Sequence, residues 1–125
     1  NMEIAQFLLE SEGAEVTQAW NGREAVELFA ASAPGSYDVI LMDIMMPVMG
    51  GLEAARVIRA MKRPDAATVP IFAMTANAFQ DDIQRSRAAG MNEHLTKPLD
   101  ARELMAAIVR YRRVKPQKKE AEKAE

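Results

Sequence analysis

No cysteine occurs among the 125 residues, which excludes a disulfide framework, a thiolate nucleophile and a thiolate metal site, and suits a reducing compartment. No apolar run approaches the roughly 20 residues that a bilayer-spanning helix needs, and the first residues lack the pattern of a signal peptide, so the expected location is cytoplasmic with no membrane contact. Internal repeats are absent as well. What remains is ordinary for a globular protein. Hydrophobic residues make up 49% of the chain and charged residues 27%, enough for one domain with a real core.

A strong charge of one sign is also missing, since the formal net charge is only -2. That balance conceals an asymmetry. From Arg110 onward seven basic residues face three glutamates, giving +4, and the remaining nine basic against fifteen acidic residues give -6. The acidic body argues against a nucleic-acid surface. In the tail, lysines mingle with glutamates and no aromatic follows Tyr111, which reads as a solvated helical extension or linker over residues 113–125, not a nucleic-acid patch.

The most informative stretch is Tyr37 to Gly51, YDVILMDIMMPVMGG. Val39 to Met42 form the short continuous apolar run expected of a strand buried on both faces of a parallel sheet, which places Asp43 at its C-terminal end. Ligands bind beyond the carboxyl ends of such strands, and packing alone explains a carboxylate there poorly, so Asp43 is the candidate reactive residue. The competing reading is a capping aspartate.

Around this strand the chain alternates helix and strand. Ile4, Phe7, Leu8 and Leu9 mark one face of a helix over residues 2–11, which Gly13 stops. Ala14 to Ala19 reads as a short strand. Asn21 and Glu24 make a capping box for a helix that buries Ala25, Val26, Leu28 and Phe29. Helices are expected at 52–61, at 78–89 with Phe79 and Ile83 as anchors, and after Asp100 with Leu104, Ala107, Ile108 and Tyr111 inside. Strands are expected at 69–74, ending at Thr75, and around 93–95, followed by a Lys97-Pro98 turn. This βα alternation specifies an α/β, doubly wound parallel sheet.

Three strand ends therefore carry Asp43, Thr75 and Lys97 along one sheet edge. A carboxylate can accept a phosphoryl group, an ammonium can neutralise its oxygens, and a hydroxyl can hydrogen-bond one of them. Taken separately, each is also a common structural residue: a cap, a strand-end threonine, an exposed lysine.

The runs VILMDIMMPVMGG, PIFAMTANA and AAGMNEHLTKPLD, in that order, resemble the receiver domain of two-component response regulators, and the last two are most similar to receivers of hybrid histidine kinases. The resemblance spans nearly the whole chain to about Arg110, with residues 1–112 as the domain. It implies a flavodoxin-like fold of strand order 2-1-3-4-5. It also implies Asp43 as phosphoacceptor, Thr75 as switch hydroxyl, Lys97 as phosphate contact and a cis bond before Pro98. The implied partner is a histidine kinase or histidine phosphotransfer protein. The implied cofactor is Mg²⁺, held in part by Asp43 and the backbone carbonyl of Met45.

Two departures from that family are expected to matter. The family's first strand, with its acidic pair, has no counterpart here, so metal binding and phosphorylation are expected to be severely weakened. The sheet would then close by direct pairing of the flanking strands or by exchange of elements with another chain, giving a homodimer. Secondly, His94 occupies the switch-aromatic position. Two rivals accompany this reading. A haloacid-dehalogenase-type hydrolase would need a second aspartate where Met45 stands. A receiver-like module that only binds partners would need no phosphorylation at all.

Overall fold

The computed structural model describes residues 2–46, 48–76 and 80–112; the side chains of residues 2–5, 80, 81 and 112, the anchor Phe79 and the charged segment 113–125 lie outside the described set. Its elements are α1 (Met2–Ser11), α2 (Gly22–Ala31), β1 (Ile40–Asp43), α3 (Gly51–Arg59), β2 (Ile71–Thr75), α4 (Gln80–Ala88), β3 (Glu93–Thr96) and α5 (Ala101–Arg112). The three strands form one parallel sheet in the order β1-β2-β3. Crossover helices require this arrangement, because parallel neighbours cannot be joined by a hairpin.

Alternation along the strands divides the core into two layers. Ile40, Met42, Ile71 and Ala73 face Phe29 of α2 and Ala54, Ala55 and Ile58 of α3. Leu41, Phe72 and Leu95 face Leu104 and Ala107 of α5, with Leu8 and Leu9 of α1 laid against them. β2 is buried at all five positions, as expected for a central strand covered on both faces. Helix α2 starts as its sequence specifies: the Asn21 side chain accepts from Glu24 N–H at 2.9 Å, while the Glu24 carboxylate accepts from Trp20 N–H at 2.8 Å.

Three sequence expectations need correction. Residues 14–19 form no strand, and they do not pair with β1, so direct pairing, one of the two closures expected from the sequence, does not occur. Val16 and Thr17 alternate suitably, but a strand needs a partner to take its backbone groups, and this segment is held instead to α1 by the Gln18 side-chain amide donating to Gln6. Phe7, placed on one apolar face of α1 with Leu8 and Leu9, is 70% exposed, and Leu28, assigned to the buried face of α2, is 37% exposed. Each helix buries a stripe narrower than its count of apolar residues, since only one side of it meets the sheet.

The end of the sheet opposite Asp43 is braced by polar contacts. Arg59, at the end of α3, donates to the carbonyls of Gly90 and Ala66 and to Asn92 Oδ1, an atom that also accepts from Ile71 N–H. Three neutral acceptors thus hold one guanidinium, whose pKa burial pushes down. Arg63 lies 4.2 Å over the Phe29 ring, donates to the Phe29 carbonyl at the end of α2, and pairs with Asp65 at 2.6 Å. Asp65 also accepts from Gly35 N–H, which ties the α2–β1 loop to the α3–β2 loop.

Hydrogen bonding from Arg63 holds the Asp65 carboxyl down to about 2, below its ordinary 3.8. Because the folded value is the lower one, this pair stabilises fully above about pH 4, and its contribution disappears as pH falls toward 2. Urea unfolding of Asp65→Asn is expected to show lower stability than wild type at pH 7 and a shallower decline between pH 4 and 2. Parallel wild-type and variant profiles over that interval would contradict the assignment.

Candidate functional site

The parallel register carries β1, β2 and β3 to a common edge. Asp43 ends β1 opposite Met74, and Thr75 ends β2 opposite Thr96, so Lys97 emerges one residue beyond β3. The Lys97 N–H donates to the Thr75 carbonyl at 2.8 Å, fixing the lysine's main chain against β2. The Lys97–Pro98 bond is cis, as the resemblance implied.

Asp43 and Lys97 meet directly. Nζ lies 2.5 Å from Asp43 Oδ2, with the two side chains about one-fifth exposed. Since β2 stands between β1 and β3, the pair bridges two strand spacings of about 4.8 Å each, which takes a long flexible stem such as lysine's. The second oxygen, Oδ1, accepts from Met45 N–H at 3.0 Å. The carboxylate is thereby oriented from both sides while remaining open to solvent.

The loop after β1 doubles back onto it. Gly51 N–H donates to the Ile44 carbonyl at 3.0 Å, and Gly51 is buried so tightly that a Cβ there would strike the Asp43 carbonyl oxygen. The loop's outer side touches α2, where Gly22 N–H donates to the Met49 carbonyl at 2.9 Å and a Cβ on Gly22 would meet the same oxygen. These close backbone approaches explain both glycines. Within this loop Val48 has φ of 69°, a conformation that costs a β-branched residue roughly 1–3 kcal/mol.

Of the residues singled out in the sequence, Asp43 and Lys97 are in contact, and buried Thr75, 6% exposed, stands on the same edge. The Met45 backbone reaches Asp43 through its N–H, and its side chain is 80% exposed. His94 lies elsewhere. It pairs opposite Ala73 and directs Nδ1 toward Ser86 of α4 at 3.2 Å. Ser86 Oγ, 1% exposed, donates to the Ile83 carbonyl, leaving its lone pairs to accept from a protonated Nδ1. Sequence reasoning missed this contact; the only available signal was a serine in an otherwise weakly apolar helix. It also missed the exposure of Trp20 beside the loop.

Comparison with known proteins agrees with this geometry. The family model described as the response regulator receiver domain matches residues 1–109. Hybrid signal transduction histidine kinase I of Dictyostelium discoideum is 34% identical over 110 residues, covering 86% of this chain and 6% of that protein. Sensor protein GacS of Pseudomonas syringae pv. syringae is 35% identical over 112 residues, covering 89% of this chain and 12% of that protein. The chain therefore spans only a small part of these relatives. Among solved structures, the receiver domain of sensor histidine kinase PA1611 from Pseudomonas aeruginosa, crystallised with magnesium in its active-site cleft, superposes with a TM-score of 0.79 at 39% identity. That match covers 89% of this chain and 87% of the other. With the family model spanning residues 1–109 and both the sheet edge and its neighbours in agreement, this chain belongs to the response regulator receiver domain family of two-component signalling.

Proposed function

We propose that this chain is the phosphoacceptor of a two-component phosphorelay, taking a phosphoryl group from the histidine of a kinase or histidine phosphotransfer protein onto Asp43. The observation that carries the reading is the Lys97–Asp43 pair at the sheet edge. In the step, an Asp43 carboxylate oxygen attacks phosphorus, the P–N bond to the donor imidazole breaks, and the P–O bond of an acyl phosphate forms. The bonding pair returns to the imidazole nitrogen, which takes a proton from solvent. Lys97, already beside the acceptor, neutralises charge gathering on the transferred oxygens, and the Thr75 hydroxyl hydrogen-bonds one of them. The added charge then biases the Thr75 edge and the α4–β3 unit containing His94 and Ser86 toward a second arrangement, so the output is a population shift.

The residues present do not fit a complete magnesium site. Among the described residues there is no cluster of three or more His, Asp or Glu able to hold a metal, and Asp43 already bonds Lys97 and Met45 N–H. Magnesium keeps near-octahedral oxygen coordination and is usually held through one or two carboxylates. With Asp43 as the one carboxylate ligand among the described residues, transfer to it is expected to be slow. The single carboxylate also favours a second reading, a receiver-like module that binds partners without phosphorylation.

Intact-mass spectrometry after incubation with phosphoramidate separates the two. Gain of one acid-labile phosphoryl group is expected, absent from Asp43→Asn and roughly tenfold or more slower than for the PA1611 receiver under the same conditions. An unlabelled chain would leave the interaction module.

Among the described residues the edge of β1 away from β2 has no strand beside it. Exchange of an element between two copies at this edge would satisfy its backbone groups and yield a homodimer. Sedimentation velocity is expected to show mass rising from monomer to dimer with concentration; a concentration-independent monomer would exclude the exchange.

A further inference from the structure

The Lys97–Asp43 contact sets an amine beside a carboxyl carbon as well as a cation beside a charge. Nζ lies 2.5 Å from Oδ2, so with a C–O bond of about 1.2 Å it stands at most about 3.7 Å from Cγ, close to the roughly 3–3.5 Å at which reacting atoms are poised. The other oxygen, Oδ1, accepts from Met45 N–H at 3.0 Å, which puts a fixed donor where negative charge gathers when Cγ is attacked. Both side chains are only about one-fifth exposed, which restricts the water that competes with the amine. An ionised carboxylate does not react with an amine in water, and the resting pair is purely ionic. Activation of the carboxyl changes that, and an acyl phosphate is an activated carboxyl.

We propose that Lys97 Nζ is an internal trap for an activated Asp43 carboxyl: from the acyl phosphate it displaces phosphate and closes an Asp43–Lys97 isopeptide bond, a modification that ends use of the acceptor. This inference rests on the phosphoacceptor reading of Asp43, which supplies the activated carboxyl. In the step the ammonium first releases one proton to water. The Nζ lone pair adds to Cγ, charge moves onto Oδ1 opposite Met45 N–H, and on its return the bond from Cγ to the bridging Oδ2 breaks. Inorganic phosphate leaves with that bonding pair and takes the second proton lost from nitrogen. The chain ends one water molecule lighter than it began. Reactants held in this way reach effective concentrations of about 10⁵ M or more, far above that of liquid water, so capture competes with hydrolysis. The new bond joins β1 to β3 across the end of β2, between positions 54 apart, and closing so long a loop stabilises the fold by restricting the unfolded chain. Guanidinium groups cannot act in this way. Arg63 beside Asp65 and Arg110 beside Glu93 stay protonated, so those pairs remain ionic.

The test follows the intact mass of the phosphoramidate-labelled chain until the label is gone. Roughly a tenth or more of the labelled chains are expected to end one water lighter than the starting chain, with Asp43 joined to Lys97 in the proteolytic map and a raised Tm. Lys97→Arg keeps the positive charge without a free amine, and its label is expected to decay wholly to the starting mass. Decay of labelled wild type wholly to its starting mass overturns the trap. So does a water-lighter product that lacks the Asp43–Lys97 link or forms equally in Lys97→Arg. A chain that phosphoramidate leaves unlabelled sinks the phosphoacceptor reading alone, and a water-soluble carbodiimide then activates Asp43 directly. An Asp43–Lys97 cross-link from the carbodiimide sustains the trap, and its absence overturns it.

Discussion

The contact between Lys97 and Asp43 is the constraint on which the site depends. It joins the first and last strands of the sheet across the end of the middle one, so it forms only if both parallel registers are correct and Lys97 leaves β3 at the right point. Because both groups are partly withdrawn from water, removing either would leave the other without its main compensation. The pair also presets charge. An acceptor carboxylate next to an ammonium needs little reorganisation when anionic oxygens arrive, which is how fixed charges assist phosphoryl transfer.

The remainder of the fold holds that geometry from the opposite end. Arg59 ties α3 to the α4–β3 turn, Arg63 and Asp65 tie the loops before β1 and β2, and Tyr111 ties α5 to the start of β3. Apolar layers on both faces of β2 fix its position, while the polar braces fix where each neighbouring strand begins. Strand ends are then placed by strand length, and the three candidate positions, Asp43, Thr75 and Lys97, fall on one edge. The Asp43 edge itself is left comparatively open: one carboxylate with two partners, beside the exposed Met45 side chain.

Much of this was legible in the sequence. The apolar run before Asp43, the buried strand before Thr75, the Asn21–Glu24 capping box and the Lys97-Pro98 turn are local signals, and each describes a segment that behaves as its own residues dictate. The segment at 14–19 was misread because a strand is a property of two chains of backbone, and alternation in one of them cannot supply the partner. Phe7 and Leu28 were misassigned because periodicity marks an apolar stripe without saying how much of it the sheet covers. The Arg59–Asn92 and His94–Ser86 contacts join residues 33 and 8 positions apart through side chains, a relation that no spacing rule encodes. Asp43, Thr75 and Lys97 were identifiable as a set because parallel topology converts three separate strand ends into one edge.

The most direct test of this account compares phosphoramidate labelling rates of wild type and Lys97→Gln, read by intact mass. The neutral glutamine retains hydrogen-bonding capacity but removes the charge, so labelling at Asp43 is expected to slow by roughly tenfold or more, with the fold retained by circular dichroism. Equal rates in wild type and variant would show that Lys97 does not serve the acceptor and would contradict the central claim.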